Sequence, residues 1–351
     1  MKICIVSPTD FIGGAELFVF DFIKSTQHEV HLIHSGKEKL PIQANEHILQ
    51  MSRLKKPSIK SVSDYLASSK ALRDRILEIN PDIVISNSVR AHILAAKAMS
   101  GTKKPLVFWV HDFTFPRFFL RIAEKRANHI MTCSEAVKNN LIQKGVSPQK
   151  LSTFKNSIDT QEFSFIEKKG AIKNIGIIGR LDPWKGQDVF LNVAKRYPEL
   201  NFHIFGASSH YDQSTVDFEK KLKKQAENLK NIEIWGFLES KKALEKIDVL
   251  IHASQEKEPF GRVVIESMSR GIAVIASNKG GAIEIISDGE DGFLVEPAVL
   301  EISAKLDLIM AYPNMREDFV KKARKKVEKL YSLKNNTKDL SDFLASFCFG
   351  L

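Results

Sequence analysis

Lys257-Glu258-Pro259-Phe260-Gly261-Arg262-Val263-Val264-Ile265-Glu266 sets two glutamates on either side of a helix start. The apolar spacing predicts a helix over 260–270, with Glu266 on its second turn and Glu258 in the loop before it. The backbone N–H groups of Phe260, Gly261 and Arg262 would then lack partners inside the helix, and such a helix N-terminus attracts anions. A carboxylate, a nest of donors and a second carboxylate suit a ligand that joins a sugar, a phosphate and a ribose. Taken alone, the stretch also fits a plain helix start, because carboxylates are favoured at the positive end of a helix dipole.

A second cluster lies upstream, in Ile177-Ile178-Gly179-Arg180-Leu181-Asp182-Pro183-Trp184-Lys185-Gly186. It follows an apolar strand and precedes a helix. Arg180 and Lys185 would leave the carboxyl end of that strand, where open α/β sheets bind ligands. Arg offers a planar fork and Lys a compact charge, which together match a pyrophosphate. A solvated basic turn is the plainer alternative.

Outside these clusters the chain alternates short apolar strands with helical patterns, which argues for parallel βαβ units. In the N-terminal half, strands are expected at 2–7, 28–34, 83–86, 106–110 and 129–132, and helices at 15–24, 62–79, 90–99 and 135–144. The 62–79 helix places Leu66, Ser69, Leu72, Ile76 and Ile79 on one stripe. A polar stretch at 164–173 reads as a linker, and a second α/β series follows. Its strands fall at 174–178, 201–205, 232–235, 249–252, 273–276 and 293–295, with helices at 300–310 and 316–331. The expected domains are therefore 1–165 and 166–334.

A length of 351 residues suits two domains. The three cysteines, Cys4, Cys133 and Cys348, are scattered, which fits a reduced cytoplasmic compartment and neither a disulfide framework nor a zinc site. The apolar run at the N-terminus is too short for a signal peptide and reads as a first buried strand. No run approaches the ~18 apolar residues of a transmembrane helix. The net charge of +10 favours anionic partners. Zinc-finger spacing and an aromatic RNA-binding strand are both missing, so nucleic acid is not the expected partner. The basic run Lys321–Lys326 reads as a solvated helix face.

Taken together, these pieces resemble the retaining GT-B glycosyltransferases of the group 1 / family 4 type, which include sucrose synthase, bacterial mannosyltransferases and many lipopolysaccharide and capsule enzymes. The resemblance spans nearly the whole chain: Gly13-Gly14-Ala15-Glu16, His111-Asp112, Asn156-Ser157-Ile158-Asp159, Arg180 with Lys185-Gly186, Glu258 with Glu266, Gly280-Gly281 with Glu284, and Gly292-Phe293-Leu294-Val295, in that order. Two departures are mild: Ser157 stands where Gly is usual, and Ser267 where Ala is usual.

The resemblance implies two Rossmann-like doubly wound domains facing across a cleft, with a final helix (335–351) returning to the first domain. It implies retaining transfer of a hexose from a UDP- or GDP-linked sugar to a hydroxyl of a glycan or lipid-linked acceptor, in cell-surface polysaccharide or glycolipid synthesis. Glu258 would hold donor-sugar hydroxyls and Glu266 the ribose diol, a role suited to a carboxylate that accepts two bonds at once. The loop of Gly13 and Gly14 would face the donor phosphates, although its spacing lacks the dinucleotide fingerprint. His111, at the end of a strand, would lie near the sugar and the attacking hydroxyl. Gly280 and Gly281 suit a close backbone approach, and the helix after them would hold phosphate or orient the loop. No Asp-x-Asp occurs, so Arg180, Lys185 and a helix N-terminus are expected to neutralise the leaving diphosphate without a metal cofactor.

The segment 113–126 forms a separate feature. Phe115, Phe118, Phe119 and Ile122 would share one helix face, and Arg117, Arg121 and Lys125 another, which is the pattern of a helix lying on an anionic membrane. The alternative is an aromatic face packed on the domain core. Membrane contact would put the protein at the inner face of the membrane. Two rival functions stay open: a nucleotide-sugar epimerase of related fold, and a non-catalytic nucleotide-sugar-binding protein.

Overall fold

The computed structural model describes residues 1–7, 13–36, 40, 42–51, 59–113, 115–168, 170–209 and 212–349. Residues 8–12 of the first loop, Thr114 and Lys169 of the expected linker lie outside the described residues. The chain divides into two compact units, Met1–Ser157 with Leu333–Leu351, and Ile158–Ser332.

Unit 1 alternates β1 (Lys2–Ser7), α1 (Gly14–Ser25), β2 (Glu29–His34), β3 (Asn45–Ile48), α2 (Ile59–Ile79), β4 (Ile83–Ser86), α3 (Val89–Ala98), β5 (Leu106–Val110), α4 (Arg117–Arg126), β6 (His129–Thr132), α5 (Glu135–Gln143) and β7 (Leu151–Thr153). Unit 2 continues with β8 (Asn174–Ile178), α6 (Gln187–Ala194), β9 (Asn201–Phe205), α7 (Gln213–Ala226), β10 (Ile232–Gly236), α8 (Ser240–Glu245), β11 (Val249–His252), α9 (Arg262–Arg270), β12 (Ala273–Ser277), α10 (Ala282–Ile285), β13 (Phe293–Val295), α11 (Val299–Ala311) and α12 (Pro313–Leu330). The last helix, α13 (Leu333–Phe349), belongs to unit 1.

Both sheets are parallel. Their strand orders are β3-β2-β1-β4-β5-β6-β7 and β10-β9-β8-β11-β12-β13. Each sheet grows outward from its first strand and then reverses, between β1 and β4 in unit 1 and between β8 and β11 in unit 2. Helices cover both faces, which is why the central strands are continuous apolar runs rather than alternating ones. Ile3, Cys4, Ile5 and Val6 of β1 are fully buried, as are Val249, Leu250 and Ile251 of β11. Full burial of each such aliphatic side chain stabilises by about 1.5–3 kcal/mol.

One face of the unit 1 sheet packs Phe18 and Phe22 of α1, Trp109 of β5, and Leu340 and Leu344 of α13. Phe18 and Trp109 meet edge to face with centroids 4.9 Å apart. The Ser25 and Thr337 hydroxyls, 2.6 Å apart, join α13 to α1. The other face packs α2 and α3 through Leu72, Ile76, Ile79, Leu94 and Ala95.

Two short strands, β3 and β7, had no sequence expectation. They sit at the sheet edges, where four or three residues carry too little pattern to detect. The stretch expected to be a linker is part of unit 2: Phe163 and Ile172 are buried, and the Ile166 amide donates to Arg270 O at 3.1 Å. The contact boundary falls instead at Ser157/Ile158 and Ser332/Leu333, where Ile158 and Ser332 form a bridge. Among the described residues no helix is long and apolar enough to cross a membrane.

Candidate active site

The order reversal of unit 2 lies between β8 and β11, and the loops leaving these strands carry the charges singled out in the sequence. Such a reversal opens a crevice at the carboxyl ends of the strands. After β8 the Gly179 amide donates to Phe205 O at 2.9 Å and the Leu181 amide to Ala207 O at 3.1 Å, which pins the loop to the end of β9. A turn of 3-10 helix, Pro183–Lys185, then ends at Gly186 with φ +75°. A Cβ at Gly186 would lie 2.1 Å from Ala253 O, so only glycine lets this turn seat against the end of β11.

That seating delivers Lys185 to Glu258. The Lys185 ammonium donates to Glu258 Oε2 at 2.5 Å, and both side chains are mostly buried. Ser254 Oγ donates to the same oxygen at 3.1 Å, and His252 Nε2 faces it at 3.4 Å. Burial pushes the Glu258 carboxyl up, but Lys185 and His252 beside it hold it well below the usual carboxylate range. His252 and Ser254 escaped the sequence reading. The signal is present in the sequence, because His252 ends β11, and the carboxyl ends of parallel strands bind ligands.

Gly280 and Gly281 do approach a backbone closely, but it is the backbone of the Glu258 loop. The Gly281 amide donates to Glu258 O at 2.8 Å. A Cβ at Gly280 would meet Glu258 O at 2.1 Å, and one at Gly281 would meet Phe260 Cα at 2.5 Å. Of the two expectations for this segment, the geometry matches the one in which it orients the loop. Glu284 offers its carbonyl to the Tyr331 hydroxyl at 2.9 Å.

The helix after Glu258 begins later than its apolar pattern suggests. Gly261 caps it with φ +98°, so α9 starts at Arg262. Phe260 lies outside the helix, and its buried ring packs edge to face on Tyr331 with centroids 5.9 Å apart. Of the three amides expected to head the helix, only that of Arg262 is helical. Arg262 Nε donates to Glu266 Oε1 at 2.7 Å, and Glu266 is 3% exposed. Arg180 projects further out, with its side chain 44% exposed and 2.8 Å from Asp182 Oδ2.

In unit 1 the sequence-selected residues occupy the equivalent strand ends. His111 directly follows β5, and its Nε2 donates to Asn87 Oδ1 at 2.8 Å. Asn87 follows β4, and its Nδ2 donates to Ser7 Oγ, at the end of β1, at 3.1 Å. This chain of bonds spans the β1/β4 reversal. It fixes the tautomer of His111, leaving Nδ1 as a buried acceptor with no partner among the described residues. Burial drives the imidazole pKa down to about 3. Asn87 also escaped the sequence reading, since a lone Asn after a strand carries no distinctive spacing.

The Gly13 amide donates to Glu16 Oε2 at 2.9 Å, an N-terminal lock for α1. At Gly14 a Cβ would meet nothing within 4 Å among the described residues. Asn156 and Ser157 are buried, and Asp159 Oδ1 accepts from the Gln161 and Glu162 amides at 2.9 and 3.3 Å, a turn-forming role.

The aromatic face expected over 113–126 divides. α4 starts only at Arg117, and Phe115 precedes it and packs edge to face on Phe108. The side chains that α4 buries are Leu120 and Ala123, while Phe118 and Ile122 are 76% and 46% exposed.

Comparison with known proteins covers both units. The model of glycosyl transferases group 1 matches residues 159–326, and that of glycosyltransferase family 4 matches residues 12–162. The chain is 25% identical to the capsular polysaccharide biosynthesis glycosyltransferase CapM of Staphylococcus aureus, over 89% of this chain and 88% of that protein. Its fold is similar to that of HepE from Anabaena in complex with UDP-glucose, with a TM-score of 0.85 and 21% identity over 99% and 100% of the two chains. It is also similar to sucrose-phosphate synthase from Thermosynechococcus elongatus, with a TM-score of 0.84 and 15% identity over 98% of each chain.

Proposed function

This chain belongs to the group 1 / family 4 glycosyltransferases, and on that premise we propose that it moves a hexose from a UDP- or GDP-linked sugar to a hydroxyl of a glycan or lipid-linked acceptor, with retention at the anomeric carbon. The two parallel α/β sheets are those of the GT-B fold. The observation that carries the reading is the Lys185–Glu258 contact at the β8/β11 reversal. A diphosphate needs cations, and a sugar needs hydroxyl acceptors. This contact sets one of each at the same strand ends.

In the reaction the anomeric C–O bond to the diphosphate breaks and the acceptor oxygen bonds to that carbon. The acceptor proton leaves with the departing diphosphate. Charge grows on the diphosphate oxygens, and preorganised donors aimed there lower the barrier. Lys185 and Arg180 are assigned that work, with the N-terminus of α9 at Arg262. The Arg180 guanidinium pairs with Asp182 at 2.8 Å, and a partly exposed pair of this kind contributes little and gives way to a phosphate at small cost. These cations take the part that a metal ion plays elsewhere, which is why we propose a metal-independent reaction.

Glu258 is assigned to hydroxyls of the donor sugar. Its depressed pKa keeps it an acceptor across the physiological range. Glu266 is assigned to the ribose diol, because a carboxylate accepts from two adjacent hydroxyls at once. In unit 1, His111 is assigned to the neighbourhood of the donor sugar and the attacking hydroxyl, with its imidazole kept neutral by burial. At Gly14, where a Cβ meets nothing within 4 Å among the described residues, a glycine suits close approach by a ligand. Likeness to CapM, a capsular polysaccharide enzyme by name, supports a place in cell-surface polysaccharide or glycolipid synthesis. The exposed Phe118 and Ile122 beside Arg117, Arg121 and Lys125 support contact with the membrane surface.

The test is a transfer assay with UDP- and GDP-sugars on the purified chain and on Arg180→Ala and Glu258→Ala. Both variants are expected to stay folded by circular dichroism and to lose transfer. Full transfer in either folded variant would sink the assignment. Conversion of the nucleotide sugar without acceptor would favour an epimerase, and binding without turnover a non-catalytic role.

A further inference from the structure

In unit 1, α3 lies between α2 and α4. Together they leave a cavity of about 370 Å³, lined by Tyr65, Ile93, Ala96, Phe119, Ile122 and Ala123. That volume lies within the ~300–1,000 Å³ of small-molecule sites. His92 also lines the cavity, and both its nitrogens are committed, Nδ1 with Ser86 Oγ at 2.9 Å and Nε2 with Ala123 O at 3.2 Å. The lining is therefore mostly apolar: its other polar groups are the Tyr65 hydroxyl, which donates to Ile93 O at 3.3 Å, and the exposed Ser100, and its charges are the exposed Lys97 and Arg126.

The walls continue outward as exposed hydrocarbon. Phe118 and Ile122 of α4 are 76% and 46% exposed, and Val62 and Leu66, which flank Tyr65 on α2, are 54% and 47% exposed. Leu66 was expected to lead the buried stripe of its helix and is instead uncovered. Grouped exposed apolar side chains of this kind mark a contact surface. The charge beside them is nearly all positive: Arg117, Arg121, Lys125 and Arg126 of α4 are exposed, together with Lys97. The one carboxylate on α4, Glu124, is turned to the Ser147 amide at 2.8 Å. On α2 the nearest acid, Asp64, has Lys60 one turn away.

We propose that this cavity receives a hydrocarbon chain of an anionic membrane lipid, with Lys97 and Arg126 on its headgroup, and so seats unit 1 on a bilayer. An apolar slot rimmed by cations matches the two ends of such a lipid, whereas a peptide helix would leave these cations without partners. The inference deepens the reading of a transferase that works on lipid-linked acceptors at the membrane surface.

The test is vesicle flotation of the full chain without donor or acceptor. Vesicles of phosphatidylcholine alone are compared with vesicles holding an equal part of phosphatidylglycerol. Binding is expected only to the second kind. Removing Lys97 or Arg126 is expected to weaken it about fivefold each, from ~1 kcal/mol per cation near an anionic surface. Ala96→Trp, which fills the slot, and Ile122→Ser, at an exposed position that folding tolerates, are each expected to weaken it by about tenfold or more. An Ile122→Trp chain is expected to lose its added fluorescence when the lipid chains are brominated.

Binding that ignores Ala96→Trp and Ile122→Ser would overturn the proposal, as would no binding to either vesicle. So would a concentration-dependent dimer that Phe118→Ser abolishes, since a second copy would then be the occupant. A nucleotide-induced rise in melting temperature, measured without lipid, shows separately whether the transferase reading stands.

Discussion

The two units reverse their strand order at the same topological point and furnish it with different chemistry. At the β8/β11 reversal of unit 2, an ammonium and a carboxylate meet at 2.5 Å. At the β1/β4 reversal of unit 1, the links are neutral: Ser7, Asn87 and His111 are joined by bonds of 3.1 and 2.8 Å. The fold decides where a ligand can sit, and the side chains at the strand ends decide which ligand. A mostly buried cation suits a diphosphate. A neutral imidazole suits an uncharged hydroxyl rather than a phosphate.

The largest expected effect is on the charged side of this comparison. Lys185→Met removes a donor aimed at the leaving group and is expected to slow transfer by about 10²–10³, the usual loss for one such donor. Equal turnover numbers for Lys185→Met and the parent would erase the distinction between the two reversals.

Gly280→Ala tests what holds Glu258 in place. The φ of +67° and the 2.1 Å overlap with Glu258 O leave no room for a methyl group. A loss of about 1–3 kcal/mol in urea unfolding is expected, together with slower transfer. Gly14→Ala, where a Cβ meets nothing within 4 Å among the described residues, is expected to unfold like the parent. A smaller loss for Gly280→Ala than for Gly14→Ala would contradict the packing described here.

Asn87→Ala probes the neutral side. It leaves a buried imidazole N–H without its acceptor, which costs about 1–3 kcal/mol. Donor affinity, measured by calorimetry with UDP and GDP, is expected to stay within twofold of the parent, because the variant leaves unit 2 intact. A tenfold loss would show that the two reversals do not divide the work as described.

Acid sharpens the comparison with the smallest effect. His111 titrates at about 3 and His92 at about 4 in the folded chain, both because of burial, while an unfolded His titrates near ~6.5. Between these values the unfolded chain binds more protons, so unit 1 loses stability as pH falls below about 6.5. The pKa of Glu258 is depressed, so its contribution is lost only as pH falls through that lower value. With Trp184 and Trp235 replaced by Phe, Trp109 reports on unit 1. Its melting temperature is expected to drop between pH 6.5 and 5, and to drop less in His111→Gln. Identical slopes would remove His111 from the explanation.

Much of the fold was legible in the sequence because parallel strands covered on both faces leave apolar runs such as Ile83-Val84-Ile85 and Val249-Leu250-Ile251. Edge strands β3 and β7 were not, being too short to carry a period. The residue types of the site were legible, but their partnerships were less so. The sequence assigns Lys185 and Glu258 to phosphate and sugar separately, and their contact depends on Gly186 seating one loop against Ala253. The late start of α9 follows from the left-handed Gly261, which an apolar pattern does not register. Gly280 and Gly281 suit a close approach in the sequence, and only the structure shows that the backbone of the Glu258 loop makes it.

The most direct test of the charged reversal is the melting temperature of the chain with UDP, GDP, ADP or CMP, measured in parallel on Lys185→Met and Glu266→Ala. At ~100 times its dissociation constant a ligand adds ~2.7 kcal/mol, which raises melting by several degrees in a domain of this size. One of UDP or GDP is expected to produce that rise in the parent chain, with a smaller rise in each variant. No rise with any nucleotide, or an undiminished rise in Lys185→Met, would contradict the assignment of this site to a nucleotide sugar.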